Sequence, residues 1–483
     1  MSSPNASSQI IQIYKAGIDA VKGERLIKNR IKLLDDKLLV YDLNSTTNQQ
    51  PAFECELNNR LIYLIGAGKA VLGLCEGFLN AIEFYNNEQQ KQQQTQENDR
   101  IEIEYGLLSV PHSIPVVNKR LFHKYNIDIR FGAKNNLPDE FALNSTRLIL
   151  DFIENKVKVN ANAANNKQCL LISFISGGGS ALLSLPKSPL SLSEKCELIS
   201  RLAKSGCDIN ELNRVRRCLS QVKGGKLARI ALASDDGSSK VQMLNFIASD
   251  IIGDPLNLIA SGPTVIDRCE NPAEIAFQIL NKYKIDVSRT IREVIDDEKP
   301  INEKLPSLTN VLLVNNLIAI REAQKYASSL GYKVIDMGTN ISGEASNVGA
   351  ELADVVLRHK ERGAYAWIGG GETTVTIPAQ FKGVGGRCQE MALAFYLKTI
   401  DCDENIVFLA AGTDGQDGPT PVAGCMIDVK KVAKLKEEAK IALNTHISYE
   451  FWSKHIPQAL INTNGPTGVN VMDVYCMIKI NGY

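Results

Sequence analysis

The sequence lacks any excess of charge and has no long apolar run. Lys and Arg together number 54, as do Asp and Glu, so the formal net charge is zero. Proteins dedicated to nucleic acids or to anionic membrane surfaces usually carry a basic excess, and a membrane-spanning helix needs about 20 consecutive apolar residues. We therefore expect no nucleic-acid partner and no membrane partner. The ligands should be small molecules.

Histidine is scarce, and cysteine shows no paired pattern. None of the five histidines lies in a glycine-rich segment, which disfavours a His-dependent catalytic triad and a His-rich metal site. The 11 cysteines form no CxxC pair, and most lie in apolar segments, as Cys75 and Cys476 do. This usage indicates reduced, buried thiols. The N-terminus lacks a secretory apolar core and is poor in arginine, so we expect a cytoplasmic protein, with mitochondrial import as the weaker alternative.

The length of 483 residues is too great for one ordinary core and predicts two domains. We place them at 1–300 and 301–483, with the proline-containing stretch near 299–310 as the linker. Strand-like apolar segments alternate with helical patterns in both parts. This alternation indicates an α/β fold in which each domain has a mainly parallel sheet flanked by helices.

Several segments near the expected site have a predicted local structure. An apolar stripe over residues 10–22 predicts an opening helix. Residues 71–85 and 208–233 are also expected to be helices, the second capped by Asp208. The polar stretches 86–100 and 160–168 are of low complexity, so we expect them to be mobile surface insertions.

Five glycine-rich segments follow predicted strands. Ligands of open α/β sheets bind beyond the carboxyl ends of the strands, and glycine there lets backbone N–H groups approach an anion. An ordinary tight turn is the alternative for any one of them, but the set predicts an anion site. The segments are GAGKA (66–70), SGGGSALL (176–183), SDIIGDPLNLIASGPT (249–264), GGGETTVTI (369–377) and AGTDGQDGPT (411–420).

The standard nucleotide fingerprints are not intact. A Walker A loop would need glycine at Tyr63 and Ser or Thr at Ala70. A dinucleotide fingerprint that starts at Gly66 would need glycine at Val71. The anion site therefore does not follow from a known short motif.

Charged residues in these segments suit phosphoryl transfer, which needs cations on phosphate oxygens, carboxylates for magnesium and a group that orients the attacking hydroxyl. Lys69 stands where a strand-end turn opens a helix, within reach of a phosphate; a solvated lysine is the alternative. Arg387 stands at a predicted helix start, where the helix dipole disfavours a cation, so we expect a carboxylate or phosphate partner. Candidates for a metal ion or a substrate hydroxyl are Asp250, Asp254, Asp414 and Asp417.

The segment NRVRRCLSQVKGGKLA carries five basic residues, Arg214, Arg216, Arg217, Lys223 and Lys226. Nucleic-acid binding is the weaker interpretation, because aromatic residues are not interleaved with these charges. The remaining interpretations are a solvated helix face and, for one or two of these side chains, the lining of a cleft for an anionic substrate.

Taken together, these segments resemble the class II glycerate kinase family, formerly also described as hydroxypyruvate reductases. The matching stretches occur in family order from about residue 10 to the C-terminus. They are GAGKA, FISGGGSALLSLP, NRVRRCLSQVKGGKLA, SDIIGDPLNLIASGPTV, GEASNVGAELA, GGGETTVTI with GVGGRCQEMALAF, LAAGTDGQDGPTPVAGCMID and NGPTGVNVMDVY.

The resemblance implies a magnesium-dependent kinase that transfers the γ-phosphoryl group of ATP to D-glycerate, in serine, glycerate and sugar-acid catabolism. It implies a large Rossmann-like N-terminal domain, a smaller C-terminal domain of the MOFRL type and an active site in the cleft between them. Carried over onto this sequence, the catalytic residues are Lys69, Asp250 and Arg387. The nucleotide would lie against Gly66, Gly68, Gly177, Gly178, Gly179 and Ser180, and Glu372 and Asp414 would be cleft residues.

Two positions depart from the family pattern. The family usually reads Gly-His-Pro before a Pro-Asp pair, whereas this chain has Lys134-Asn135-Asn136-Leu137 before Pro138-Asp139. Cys388 replaces the asparagine that usually follows the Gly-Gly-Arg motif. These departures bear on substrate contacts more than on the reaction class. The resemblance favours the 2-hydroxyl of glycerate, and it leaves the 3-hydroxyl and the choice between monomer and homodimer open.

Two other functions are alternatives to a kinase. An oxidoreductase that acts on hydroxypyruvate would need an intact dinucleotide fingerprint and a histidine acid/base, and the fingerprint is broken at Val71. A sugar-phosphate sensor without turnover would have lost its catalytic groups, whereas Lys69, Asp250 and Arg387 are all present.

Overall fold

The computed structural model describes residues 5–43, 50–58, 60–91, 100–134, 137–163, 168–233, 239–378 and 383–481. Its helices are α1 Ala6–Ala20, α2 Gly23–Arg30, α3 Val71–Lys91, α4 Lys119–Lys124, α5 Glu140–Phe152, α6 Val159–Ala163, α7 Gly179–Leu182, α8 Leu192–Lys204, α9 Ile209–Cys218, α10 Lys226–Leu232, α11 Pro272–Lys282, α12 Arg289–Asp296, α13 Asn316–Ser329, α14 Ala345–Arg358, α15 Arg387–Thr399, α16 Lys436–Asn444 and α17 Ser448–His455.

The strands are β1 Ile31–Leu34, β2 Lys37–Val40, β3 Phe53–Glu56, β4 Arg60–Ala67, β5 Tyr105–Pro111, β6 Ile127–Gly132, β7 Gln168–Ile175, β8 Val241–Ala248, β9 Leu308–Val314, β10 Lys333–Asp336, β11 Ile341–Glu344, β12 Gly363–Thr374, β13 Asn405–Gly412, β14 Gly424–Asp428, β15 Leu460–Ile461 and β16 Asp473–Asn481. In the part of the chain that is described, no helix combines the length and apolar character that crossing a membrane requires.

The chain divides into two units, but not at a single point. The large unit comprises Gly23–Ser249 and Asp254–Leu313, and the small unit comprises Met1–Lys22, Asp250–Gly253 and Val314–Tyr483. Helix α1 therefore belongs with the C-terminal half of the chain. The domain limits 1–300 and 301–483 differ from these units in dividing the chain at one point, and they stay a prediction.

The large unit is built on a six-stranded sheet with the order β6-β5-β4-β7-β8-β9. The pairs from β6 to β8 are parallel, and β7 is buried over seven of its eight residues, as a central parallel strand should be. Counted from β4, this is the 3-2-1-4-5-6 order of doubly wound nucleotide-binding sheets. The Rossmann-like fold expected here is confirmed. Strand β9, which the sequence boundary assigned to the C-terminal domain, lies at the edge of this sheet.

The small unit has a mixed sheet, so the expectation of a second mainly parallel sheet is wrong. Strands β10 and β11 run parallel to β12, but β16 lies between β12 and β13 and is antiparallel to both. Strand β14 is also antiparallel to β13. The strand–helix–strand order around α15 looks locally like a parallel pair. The final strand of the chain takes the place between those two strands, which local alternation cannot reveal.

Residues 208–233 and the GGGETT segment fold differently from their sequence-based prediction. The helix expected over 208–233 is two helices, α9 and α10, although Asp208 caps the first as expected. Gly224 and Gly225 between them have φ of +66° and +87°, values that a right-handed helix excludes. The GGGETT segment is not a loop either, because it forms the last six residues of β12.

The two polar stretches are partly helical. Helix α3 continues to Lys91, six residues beyond its expected end, and residues 159–163 form α6. Residues 92–99 and 164–167, on which the predictions of mobile surface insertions otherwise rest, lie outside the described part of the chain, as do Asn135 and Asn136.

Helix α1 packs tightly on α13 within the small unit. Its predicted apolar stripe is confirmed, since Ile10, Ile13, Tyr14 and Ile18 are all buried. Gly17 lies at the crossing of the two helices. A Cβ at that position would stand 2.9 Å from the Ala319 carbonyl oxygen, a backbone atom. The two helices therefore approach more closely than any side chain at residue 17 allows.

The substitution Gly17→Val is expected to destabilise the protein by about 1–3 kcal/mol, because the new side chain overpacks a contact with backbone atoms. The measurement is the unfolding free energy by chemical denaturation. Lys15→Val, at an exposed site of the same helix, controls for the helix propensity of valine and should change the stability little. Equal effects of the two substitutions would contradict the close contact.

Candidate active site

The first cluster of expected site residues lies in the large unit, where the strand order reverses between β4 and β7. Ligands of doubly wound sheets bind at this switch point. The loops that leave the two strands are joined by hydrogen bonds. The Lys69 N–H donates to the Gly177 carbonyl oxygen at 2.9 Å, and the Ala70 N–H donates to Ser176 Oγ at 3.0 Å. The structure thus brings GAGKA and SGGGS together.

Glycine is required at two positions of this pair of loops. Gly68 has φ of +146°, and a Cβ there would lie 2.1 Å from Ser176 Oγ. Gly178 has φ of +80°, and its missing Cβ would lie 3.1 Å from Lys69 Cγ. The stem of Lys69 therefore runs along the SGGGS loop. Lys69 is partly exposed and follows the carboxyl end of β4, the edge at which open α/β sheets bind ligands.

A third segment supports the loop from its other end. A Cβ on Gly179 would lie 2.7 Å from that of Ala260. Ser180 Oγ and Ser261 Oγ are 2.7 Å apart, and Ser261 Oγ donates to Asn213 Oδ1 at 2.9 Å. Ala260 and Ser261 have φ of 52° and 62°, a left-handed conformation that is costly for non-glycine residues and concentrates at functional sites.

The basic segment between Arg214 and Lys226 is not a solvated face. Arg217 and Lys223 are only 4% and 1% exposed. Arg217 forms an ion pair with Asp267 at 2.5 Å, and Lys226 forms one with Glu298 at 2.6 Å. The solvated-face interpretation is therefore wrong for these three residues. They lie inside the fold, next to the segment 257–267 and the end of α12.

The second cluster lies in the small unit and centres on Asp473. Arg387 Nε and Nη2 donate to the two oxygens of the Asp473 carboxylate at 2.6 and 2.8 Å, and Arg387 Nη1 lies 2.9 Å from Glu372. Asp473 is fully buried. Burial opposes the positive charge of Arg387, but the Asp473 carboxylate raises the pKa of the guanidinium above its ordinary value. The carboxylate partner expected for Arg387 is present.

Asp414 lies close to this ion pair. The missing Cβ of Gly412 would stand 3.2 Å from Asp414 Oδ1 and 3.4 Å from Asp473 Oδ1. On the other side of this turn, the Tyr14 hydroxyl donates to the Gly412 carbonyl oxygen at 2.6 Å. Burial near the Asp414 and Asp473 carboxylates raises the pKa of Tyr14 well above its usual value, so this hydroxyl keeps its proton. Helix α1 thereby holds the start of the TDGQDG loop.

Asp250 also belongs to the small unit. Its Oδ2 accepts a hydrogen bond from Asn470 Nδ2 at 3.1 Å, and both residues are partly exposed. Asp254, four residues later, has left-handed φ of 55° and belongs to the large unit. The two aspartates of this glycine turn therefore have separate surroundings.

Asp417 has a structural role that explains its burial. Its carboxylate accepts from the backbone N–H groups of Cys388 and Gln389 at 3.1 and 2.9 Å, and from Gln389 Nε2 at 2.8 Å. These are the first free N–H groups of α15, which a negative charge stabilises. Burial raises the pKa of Asp417 to about 6, although the Gln389 hydrogen bond opposes the rise. With both oxygens occupied, Asp417 is a poor candidate for a metal ligand.

The carboxylates do not form a ready-made metal site. Among the residues that the structure describes, no three His, Cys, Asp or Glu side chains are grouped so as to hold a metal ion. Magnesium, however, is commonly bound through one or two carboxylates and the phosphates of a nucleotide. Asp250 and Asp414 are partly exposed and could supply those one or two carboxylates. Asp417 and Asp473 are buried, and their oxygens accept hydrogen bonds from within the fold.

The chain is similar to known proteins over almost its whole length. A family described as "Domain of unknown function (DUF4147)" matches residues 9–296, and the MOFRL family matches residues 365–473. The glycerate kinase of Danio rerio is 32% identical over 99% of this chain and 98% of its own length. The glycerate 2-kinase of Pyrococcus horikoshii is 32% identical over 97% of this chain and 96% of its own. The chain belongs to the class II glycerate kinase family.

A solved structure of the glycerate kinase family supports the fold over the same length. The crystal structure of the glycerate kinase from Thermotoga maritima matches with a TM-score of 0.75 and 28% identity, and covers 98% of this chain and 99% of that one.

Several residues of this member of the glycerate kinase family were missed by the sequence reasoning. Asp473 stands in the matched stretch NGPTGVNVMDVY but was not singled out, although a carboxylate at the start of the apolar strand β16 needs a buried partner. Asn470 stands in the same stretch. Tyr14 was expected only as part of an apolar stripe, and nothing in its local sequence indicates the bond to Gly412.

The substitution Asp417→Ala is expected to lower the unfolding free energy by about 2 kcal/mol, since it removes the cap of α15 and leaves buried N–H donors without an acceptor. Thermal and chemical unfolding measure this effect. Gln416→Ala, at the exposed neighbouring position, should leave stability nearly unchanged. A fully stable Asp417→Ala variant would show that the carboxylate does not stabilise α15.

Proposed function

We propose that this protein is an ATP-dependent glycerate kinase that transfers the γ-phosphoryl group to a hydroxyl of D-glycerate. The observation that carries the proposal is the end-to-end similarity to proteins named glycerate kinase, at 32% identity over 97–99% of the chain. The matched stretches include every residue assigned to catalysis. Hydroxypyruvate reduction is the weaker alternative, because the loop after β4 has Val71 where a dinucleotide fingerprint has glycine.

Lys69 is proposed to neutralise charge on the nucleotide phosphates. Its backbone N–H is fixed to Gly177 and its stem lies against Gly178, so the ammonium group extends from a rigid base. Gly66, Gly68 and the SGGGS loop allow the backbone to approach the phosphates closely. Phosphoryl transfer depends mainly on positioning and on stabilising charge on the transferring group, and these are the roles that the two loops suit.

Arg387 is proposed to bind the carboxylate of glycerate or the transferring phosphoryl group. Its side chain is 29% exposed, and the bidentate bond to Asp473 fixes the plane of the guanidinium. Displacement of the partly exposed Glu372 by an anionic substrate would release Arg387 Nη1 for a new bond.

Asp250 is proposed to orient or deprotonate the attacking hydroxyl. The amide of Asn470 holds one of its oxygens, which fixes the rotation of the carboxylate. Asp250 and Asp414 are the protein groups suited to hold a magnesium ion, which would supply positive charge to neutralise the phosphates of ATP. The location of the active site between the domains, the oligomeric state and the cellular compartment stay predictions.

The proposed reaction and its position are tested by incubating the protein with D-glycerate and Mg-ATP in the presence of enolase, without phosphoglycerate mutase. We expect release of ADP with formation of phosphoenolpyruvate, because enolase accepts only the 2-phosphate and a similar relative is named glycerate 2-kinase. ADP without phosphoenolpyruvate would move the phosphate to position 3. A folded preparation that releases no ADP would refute the kinase.

The substitution Lys69→Met is expected to lower kcat/KM by about 100-fold or more, since a cation is lost from the charged group being transferred. The same coupled assay measures it, and thermal unfolding should change little because the lysine is partly exposed. Lys91→Met, at an exposed lysine of the helix that follows the same loop, is the matched control. A fully active Lys69→Met enzyme would remove this residue from the mechanism.

A further inference from the structure

Lys223 lies at the other end of the SGGGS loop from Lys69. It stands in the turn between α9 and α10 and is 1% exposed. Its ammonium group donates to the Ser180 carbonyl oxygen at 2.9 Å and lies 3.5 Å from the Ala260 carbonyl oxygen. It therefore joins the last residue of the glycine loop to the strained segment that supports that loop.

The charge of Lys223 has no carboxylate to balance it in the part of the chain that the structure describes. Two other lysines inside the fold have a carboxylate that balances their charge. Lys226 forms an ion pair with Glu298, and Lys479 forms one with Glu404. The charged neighbours of Lys223 are instead Lys195, Arg216 and Arg217. Burial, reinforced by these cations, lowers the pKa of Lys223 well below its usual value.

A buried ammonium without a counter-charge is strongly unfavourable for stability. Carbonyl oxygens satisfy its N–H groups but supply only partial charge. A methionine of similar length would fill the same space without that cost. The loop that Lys223 contacts is the one expected to meet an anion, so a bound phosphate would supply the missing negative charge.

We propose that Lys223 is a positioning residue of the nucleotide site. It fixes the Ser180 carbonyl, and the phosphates of the bound nucleotide stabilise its positively charged form. This inference rests on the proposed kinase function. The SGGGS loop is then contacted by two lysines that have different roles. Lys69 offers a partly exposed cation to the phosphates, and Lys223 holds the loop from within the fold.

Stabilisation of protonated Lys223 by bound phosphates predicts that nucleotide binding and proton uptake are linked. An anion nearby favours the charged form of an amine, so bound phosphates raise the pKa of Lys223 and draw a proton onto it. At mildly alkaline pH the nucleotide phosphates are already fully ionised. Any proton taken up on binding at that pH therefore goes to the protein and not to the nucleotide. Adenosine, which carries no phosphate, should bind without uptake.

The test is titration calorimetry of the full chain with ADP and with adenosine, in buffers of different ionisation enthalpy at mildly alkaline pH. For the wild-type protein we expect proton uptake with ADP and none with adenosine. In Lys223→Met, ADP affinity should fall by about tenfold or more and the uptake should be lost, while adenosine affinity stays unchanged. In the coupled assay, KM for ATP should rise and KM for glycerate should not.

Lys195→Met is the matched control. Lys195 is also buried, burial lowers its pKa to about 8, and its ammonium donates to Ser184 Oγ at 3.2 Å. Its loss should change stability without a selective loss of ADP over adenosine. Lys223→Arg, which keeps the charge, should restore part of the ADP affinity.

The outcomes separate this inference from the proposed function. Absence of proton uptake in the wild type would overturn the inference without any variant, so poor folding of Lys223→Met cannot hide the answer. Equal weakening of ADP and adenosine would also overturn it, because it would show a purely structural lysine. A wild-type protein that binds ADP with proton uptake but phosphorylates no glycerate would support the inference and refute the kinase.

Discussion

The close approach of the loop after β4 to the loop after β7 is the constraint on which the candidate phosphate site depends. The two strands are parallel neighbours at the point where the sheet order reverses, so both chains leave the sheet in the same direction. They remain in contact only because Gly68 has no side chain to meet Ser176. This contact sets the path of the SGGGS loop and the direction in which Lys69 leaves it.

Two buried carboxylates of the small unit have all their oxygens bonded, whereas one buried lysine of the large unit has no carboxylate partner among the described residues. In the small unit, Asp473 and Asp417 are buried carboxylates whose oxygens are all used, by Arg387 and Tyr475 in one case and by the start of α15 in the other. Such groups fix geometry and are poorly suited to take a substrate proton. In the large unit, Lys223 is a buried amine whose charged form no carboxylate among the described residues balances. This contrast separates groups that complete the fold from groups that await a ligand.

The motif carboxylates of the glycerate kinase family therefore do not all have the same task. Asp414 and Asp417 stand three residues apart in one loop, yet Asp414 is partly exposed and Asp417 is 2% exposed. Equal spacing in the sequence gave no reason to distinguish them. Cys388, which departs from the family pattern, stands at the start of α15. Its backbone N–H donates to Asp417 and its side chain is buried. The side chain of residue 388 thus packs inside the fold.

The sequence by itself determined the α/β class, the Rossmann-like sheet, the opening helix, the strand-end positions of Lys69 and SGGGS, and the need of Arg387 for an anionic partner. These features follow from local periodicity, glycine placement and helix-end electrostatics. Only the tertiary structure decided that α1 belongs with the C-terminal half and that β16 enters between β12 and β13. It also decided that Lys223 contacts Ser180, that Tyr14 contacts Gly412 and that Asp473 pairs with Arg387. Those choices depend on contacts between residues far apart in the chain, whose energies no local pattern contains.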